Sequence, residues 1–271
     1  MRRRATWGLV VLIIGVVLLL DNLGYLNFLG VGAWQLLWPT ALVALGIWIL
    51  FGAKTLRYKG DTEDVAIGLQ GETTAKVQLE YGAGELHVAH GAQPGQVLSG
   101  SFEGGLDQKV QRSEAAVDVR LSSPLAIFPP VVFWPPNWGL GARRRWDIHL
   151  SDAIGFELTV KTGASDCHLD LERLKVTRLR FESGASSSVV TLPARAGYTE
   201  VRGSSGAASV SFRIPEGVAA RIRAQGGLSS TTIDRQRFPR QGGVYVSPDY
   251  ETAENRVDIR FDIGVGSIDI R

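Results

Sequence analysis

The sequence predicts an N-terminal transmembrane α-hairpin followed by an all-β domain that is β-solenoid-like, with short stacked strands repeating about every 21 residues. Three observations support this fold class: two long apolar runs near the N-terminus, alternating apolar and polar residues after them, and regularly spaced glycines. The chain has 271 residues, and 45% of them are hydrophobic, which is enough for a membrane segment and a separate core. We place the hairpin at residues 1–59, a polar linker at 60–66 and the β-repeat domain at 67–271.

Two apolar runs, residues 7–20 and 34–51, are each close to the roughly 17–25 residues that a helix needs to cross a bilayer. All six basic residues of the first 60 lie before the first run or after the second. Because basic flanks stay in the cytoplasm, both ends of the hairpin and the β domain are predicted to be cytoplasmic. No small-residue cleavage site follows Leu20, which favours a retained two-helix hairpin in the lipid bilayer over a cleaved signal peptide.

Short strings within the apolar runs carry a family resemblance. They are GLVVLIIG at Gly8–Gly15, LLLDNLG at Leu18–Gly24, Leu37-Trp38-Pro39 and Ala44-Leu45-Gly46. This pattern resembles the LiaI/LiaF-like transmembrane module of bacterial envelope-stress proteins. The resemblance implies an integral, non-catalytic module that crosses the bacterial inner membrane more than once.

Six glycines anchor the repeat of the β domain: Gly82, Gly163, Gly184, Gly206, Gly227 and Gly264. The central spacings are 21 or 22 residues, which is typical of stacked β repeats. An apolar residue stands five before and six after every anchor, and the residue four after is usually apolar, so these positions are predicted to point inward. Each repeat is predicted as strand, glycine turn and strand, with the glycine at positive φ. The longer gaps, 82–163 and 227–264, are expected to hold extra strands or insertions.

Around these anchors the chain resembles a second family. The strings are YGAGELHV at Tyr81–Val88, TGASDCHL at Thr162–Leu169, SGAS at Ser183–Ser186 and IGVGSIDI at Ile263–Ile270. They resemble the toast-rack domain, which the C-terminal region of LiaF shares with adhesin-like proteins, and the resemblance covers residues 65–271. It implies a role in envelope-stress sensing or regulation, with a membrane signalling protein such as a histidine kinase as partner. The alternative is a membrane-tethered scaffold or adhesin-like protein without a signalling role.

Residues 122–146 interrupt the repeat with an aromatic, proline-rich insertion that holds five of the eleven prolines. Proline is excluded from a regular sheet interior, so this segment is predicted to be a loop. Three roles remain open: capping the open end of the β array, inserting into a headgroup layer, or binding a partner. The candidate membrane or partner contacts are Phe128, Phe133, Trp134, Trp138, Arg143, Arg144, Arg145 and Trp146.

We identify no catalytic, cofactor-binding or metal-binding residues in the sequence, and predict that the protein is not an enzyme. A single cysteine excludes a disulfide framework, and Cys167 occupies an inward position of the repeat. His87 and His90 fall on opposite faces of one predicted strand and cannot chelate together. The basic excess lies beside the apolar runs rather than on the β domain, so a nucleic-acid partner is not expected.

Charged residues recur on the outward positions of the predicted strands. They are interpreted as a solvated sheet face, with partner binding as the alternative, and include Arg178, Arg180, Glu182, Arg221 and Arg223. Self-association of the chain is left open.

Overall fold

A computed structural model describes residues 62–123 and 144–271, so the predicted hairpin and residues 124–143 of the insertion lie outside the described residues. The described residues form thirteen β-strands and contain no helix. The strands are β1 (Thr62–Gly68), β2 (Thr74–His90), β3 (Gln96–Glu103), β4 (Asp107–Arg112), β5 (Ala116–Ser122), β6 (Arg145–Leu150), β7 (Gly155–Asp170), β8 (Lys175–Thr191), β9 (Tyr198–Arg213), β10 (Ala219–Ile233), β11 (Arg240–Gln241), β12 (Val244–Val246) and β13 (Arg256–Ile270).

Six long strands form the centre of one mixed sheet and run parallel in the order β2-β7-β8-β9-β13-β10. Each contains one anchor glycine and is 15 to 17 residues long. The prediction of short strands separated by a turn is therefore wrong. Pairing resumes immediately beyond the glycine, as between Thr162 and Ser183 before it and Ala164 and Ala185 after it. One repeat is thus one continuous strand with a corner.

The corner glycines have a different cause from the one predicted. None of the six anchors has a positive φ, which among nearby glycines is found at Gly84 and Gly266. Instead, the corners of neighbouring strands approach so closely that a Cβ would clash at Gly163, Gly184 and Gly264 and would be tight at Gly206 and Gly227. A Cβ on Gly184 would lie 2.8 Å from the carbonyl oxygen of Gly163, and one on Gly264 would lie 2.7 Å from that of Gly206. Of the six anchors, only Gly82 has open space where a Cβ would lie, and it belongs to the first long strand of the stack.

The hydrophobic core lies inside the bend of the long strands. All residues five before and six after the anchors are buried, which confirms those inward positions. The residue four after is buried in five strands, but Thr231 in β10 is exposed and corrects the prediction there. Phe212 after one corner packs edge-on against Phe261 before another, with ring centroids 5.3 Å apart. The two halves of the bent sheet therefore face each other across one core.

The long gaps between anchors contain further strands, as expected. In the first gap, β5 pairs with the first half of β2 and β6 pairs with its second half. On its other side β6 pairs with β3, and β3 pairs in turn with β1. In the second gap, the β11–β12 hairpin lies beside the start of β10. The predicted linker at 60–66 is wrong from Thr62 onwards, because residues 62–68 form β1 and pair antiparallel with β3. Alternation places Ile67 in the core and leaves Glu63 and Asp64 exposed.

Candidate interaction surface

The residues predicted to contact a membrane or partner fall into two groups, those outside the described residues and those within them. Phe128, Phe133, Trp134, Trp138 and Arg143 lie outside the described residues, so their role stays a prediction. Trp146 is fully buried in β6, which corrects its assignment as a contact residue. Its ring packs 4.9 Å from that of Tyr81 and edge-on to Phe102 at 5.1 Å. The alternation of Trp146 with Ile148 and Leu150 is the strand signal that places it inside.

The chain leaving the insertion is held against β2 by polar contacts. The backbone carbonyl of Arg144 accepts a hydrogen bond from the Tyr81 hydroxyl at 2.7 Å and another from the Glu85 amide at 2.8 Å. Burial raises the pKa of Tyr81 to about 12. The Arg145 guanidinium makes a two-pronged contact with one Glu85 oxygen, at 3.0 Å and 2.6 Å. Arg144 and Arg145 therefore serve first as parts of this attachment.

The outward residues on the first halves of the six long strands form one surface, which we name the charged face. Six residues before each anchor, its first row reads Lys76, Glu157, Arg178, Glu200, Asp258 and Arg221 in stacking order. Opposite charges are neighbours along most of this row, and Arg178 bridges Glu157 at 3.3 Å and Glu200 at 3.5 Å. Asp258 is buried, but the two pairs of Arg178 lie at partly exposed positions, where each contributes at most about 1 kcal/mol. The row consequently fixes strand register more than it adds stability.

The neighbouring row of the charged face, four residues before each anchor, is strongly basic. It runs Gln78, Thr159, Arg180, Arg202, Arg260 and Arg223, so four consecutive strands each present an arginine. We name these four the arginine row. Adjacent strands lie about 4.8 Å apart, so the four guanidinium groups line up over roughly 15 Å.

The two ends of the arginine row differ from its middle. Arg202 contacts Glu200 at 2.5 Å and holds the pKa of that carboxyl below its usual range, and Arg260 contacts Asp258 at 3.4 Å. Arg180 and Arg223 take part in none of the salt bridges among the described residues. Sequence reasoning named these two but missed the row, because only the stacking order shows that the four arginines are neighbours.

The outward residues on the second halves of the long strands are small in the middle of the stack, with Ser187 and Ser209 as examples. At the end nearest β6, the imidazoles of His87 and His168 stack with ring centroids 5.1 Å apart and planes 12° apart. Sequence reasoning missed this pair, although the two histidines occupy the same position of their repeats. The described residues contain no group of three His, Cys, Asp or Glu side chains that can hold a metal ion.

The depressions found in the described surface are open. One of about 600 Å³ is lined by both signs of charge, including Glu172, Arg195 and Arg213. A second, about 380 Å³, lies over the corners and is lined by small residues with Glu85 and Asp166. Cys167 is buried in the core, as predicted, and burial raises the pKa of its thiol to about 12. A buried, protonated thiol is a poor nucleophile, so Cys167 acts as a packing residue.

Comparison with known proteins places the chain in a class and then in a family. A LiaI-LiaF-like transmembrane region matches residues 5–50, so this is a membrane protein with a β-rich domain. The N-terminal domain of toast-rack matches residues 57–213, more than half of the chain, and the chain therefore belongs to the toast-rack family. Neither description is that of an enzyme family. In the described residues, no helix is long and apolar enough to span a bilayer.

Among solved structures, the chain resembles a protein from Clostridium sporogenes that is provisionally assigned to cell adhesion. The two share 19% identity and a TM-score of 0.70, over 78% of this chain and 99% of the other. A provisionally assigned adhesin from Bacteroides fragilis shares 9% identity over 79% of this chain and 98% of the other, with a TM-score of 0.21. The first of these supports the fold alone. No curated protein matches the sequence.

Proposed function

We propose that this protein is a non-catalytic regulator of the bacterial envelope-stress response, in which the β domain binds a partner protein at the membrane. The observation that carries the proposal is the combination, in one chain, of a LiaI-LiaF-like transmembrane region with a toast-rack domain. The partner we propose is a membrane signalling protein such as a histidine kinase, and the hairpin brings the β domain to it in the inner membrane.

The charged face is our candidate for the partner-binding surface. Arg180 and Arg223 stand exposed at the ends of the arginine row and form no salt bridge in the described part of the chain, so a partner's acidic side chains can pair with them. Arginine presents a planar set of donors that matches a carboxylate, which favours an acidic protein surface. The charged face extends over six strands and gives the area for a protein contact, whereas the open depressions, including one of about 260 Å³ between Arg178 and Arg202, do not enclose a small molecule.

A reporter for envelope stress tests the regulatory role. Cells with and without the protein are treated with a cell-wall antibiotic, and the reporter is expected to respond differently. The Arg180→Gln/Arg223→Gln double variant should behave like the deletion. The matched control, Lys109→Gln/Arg235→Gln, removes the same charge from exposed positions outside the charged face. A reporter that responds identically with and without the protein would contradict the proposal.

The alternative function is a membrane-tethered scaffold or adhesin-like protein without a signalling role. The similarity in fold to the Clostridium sporogenes protein provisionally assigned to cell adhesion favours it. The adhesin-like form of this alternative needs the opposite topology, since adhesion requires the β domain outside the cell. We propose the cytoplasmic side, because the basic residues flank the predicted hairpin and its turn has none. A C-terminal alkaline phosphatase fusion should be inactive and a fluorescent fusion bright. The opposite result would favour adhesion.

A further inference from the structure

The strand at one end of the stack, β10, has an open edge. Its start is paired on the outer side by β12, but that pairing covers only Arg221 and Ile222. On the inner side β10 pairs with β13 along its full length. From Arg223 to Ile233, therefore, no strand among the described residues pairs with the outer edge.

The unpaired edge presents regular hydrogen-bonding groups. The Asp234 amide donates to the carbonyl of Ile270 in β13 at 3.1 Å. Because successive residues of a strand point their backbone groups to opposite sides, Ser229, Thr231 and Ile233 direct theirs away from β13. Such a row of free amides and carbonyls is a template for another strand.

The edge also lacks the features that normally prevent pairing. Residues 224–233 read AQGGLSSTTI, without a charge or a proline. Natural sheets protect exposed edges with charged residues, prolines, bulges or covering loops. The outer strands at the other end of the sheet follow this rule: β1 exposes Glu63 and Asp64, and β4 is exposed throughout and includes Lys109. One end of the stack is thus protected and the other is not.

An apolar patch accompanies the open edge. Leu228 is 81% exposed and Val265, its paired neighbour in β13, is 52% exposed. In the four preceding strands of the stack, alanine stands at the same position: Ala83, Ala164, Ala185 and Ala207. The side chains thus become larger and more apolar only towards the open edge.

We propose that the open edge of β10 pairs with the same edge of a second copy of this chain, forming an antiparallel two-fold dimer. A two-fold axis brings identical surfaces together and makes the two β10 strands antiparallel. An uncharged segment is suited to this, because a charge facing its own copy would be repelled. The pairing satisfies the free backbone groups and covers Leu228 and Val265 in both copies. Anchoring both copies in one membrane raises their effective concentration.

Cysteine cross-linking of the full-length protein in detergent tests the contact. Leu228, Ser229, Ser230 and Thr231 are replaced by cysteine one at a time, and a short bismaleimide is added. A covalent dimer is expected, with its highest yield at the residue nearest the two-fold axis. Ala207→Cys is the matched control, since it occupies the position of Leu228 in a strand that is paired on both sides. Buried Cys167 should contribute no cross-link.

Edge charges give a second, independent measurement. Leu228→Lys and Thr231→Lys should each convert the dimer to monomer in light scattering, with the circular dichroism spectrum unchanged, whereas Ala207→Lys should leave the dimer intact. If the wild-type protein is a monomer at all concentrations, the proposal is overturned, and a strand from another protein becomes the candidate to pair with this edge. A dimer that survives both edge lysines would also overturn it, since contacts elsewhere would then join the copies. Neither result would change the expected outcome of the stress-reporter experiment, so the two proposals are tested separately.

Discussion

The corner glycines allow one prediction to be developed from distances. Replacing Gly184 with alanine places a Cβ 2.8 Å from the carbonyl oxygen of Gly163, closer than real Cβ contacts come. The oxygen is a backbone atom and the Cβ position is fixed by the backbone of the paired strand, so neither can move without disturbing the register. Replacing Gly82 with alanine meets nothing within 4 Å, and Gly82 does not have a positive φ. The same substitution at the same repeat position therefore has two different steric outcomes.

The expected loss of stability follows from comparing Gly184→Ala with Gly82→Ala. Exchanging glycine for alanine restricts the unfolded chain and stabilises the fold by about 0.4–1 kcal/mol where the backbone accepts it. This gain is common to both variants and cancels in their difference. What remains is the overpacking at Gly184, about 1–3 kcal/mol. For a domain of this size that corresponds to a difference in Tm of roughly 2–12 °C.

Thermal unfolding of the full-length variants in one detergent, followed by the β-sheet circular dichroism signal, measures this difference. Gly82→Ala should unfold at or slightly above the wild-type temperature, and Gly184→Ala clearly below it. Urea midpoints provide a check if heating is irreversible. Equal stability of the two variants would refute the steric explanation of the corners.

Three further predictions concern buried side chains. Trp146→Ala should reduce the free energy of unfolding by about 3–5 kcal/mol in urea denaturation, whereas a surface contact residue would cost little. Cys167 should resist maleimide labelling in the folded protein and react fully in denaturant, because it is buried with a thiol pKa of about 12. Tyr81 has a raised pKa of about 12, so its neutral form stabilises the fold, and this contribution should be lost between about pH 10 and 12. Tyr81→Phe should flatten that part of the stability curve.

The inward positions of the repeat could be predicted because each half of a repeat follows the two-residue period of a strand, counted from its glycine anchor. Val77 and Leu79 are buried before Gly82, and Leu86 and Val88 are buried after it, with the phase of the alternation changing at the corner. The cause of the corners could not be predicted, since a glycine that avoids a clash and one at positive φ are the same letter in a sequence. Trp146 was misassigned because the prolines before it outweighed the alternation that follows it.

The order of the strands in the stack could not be predicted from the sequence either. The anchors run Gly206, Gly227 and Gly264 along the chain, but β13 inserts between β9 and β10, so Gly264 lies between the other two in the stack. Spacing identifies the members of a repeat and not their neighbours. The arginine row and the open edge both depend on this insertion, since it places Arg260 between Arg202 and Arg223 and leaves β10 at the end.

The arginine row connects the packing of the corners to the proposed binding function. It takes one residue from each of four strands, so no linear peptide of this chain can reproduce it. Its alignment is set by strand register, and at the corners of Gly184 and Gly264 the neighbouring strands lie too close to admit a Cβ. A corner substitution such as Gly184→Ala should therefore lower stability and weaken partner binding without removing any charge from the charged face. Arg180→Gln, in contrast, should weaken binding with the stability unchanged. Both variants should weaken binding, but only the corner substitution should lower stability, so the pair separates the contribution of strand stacking from that of charge.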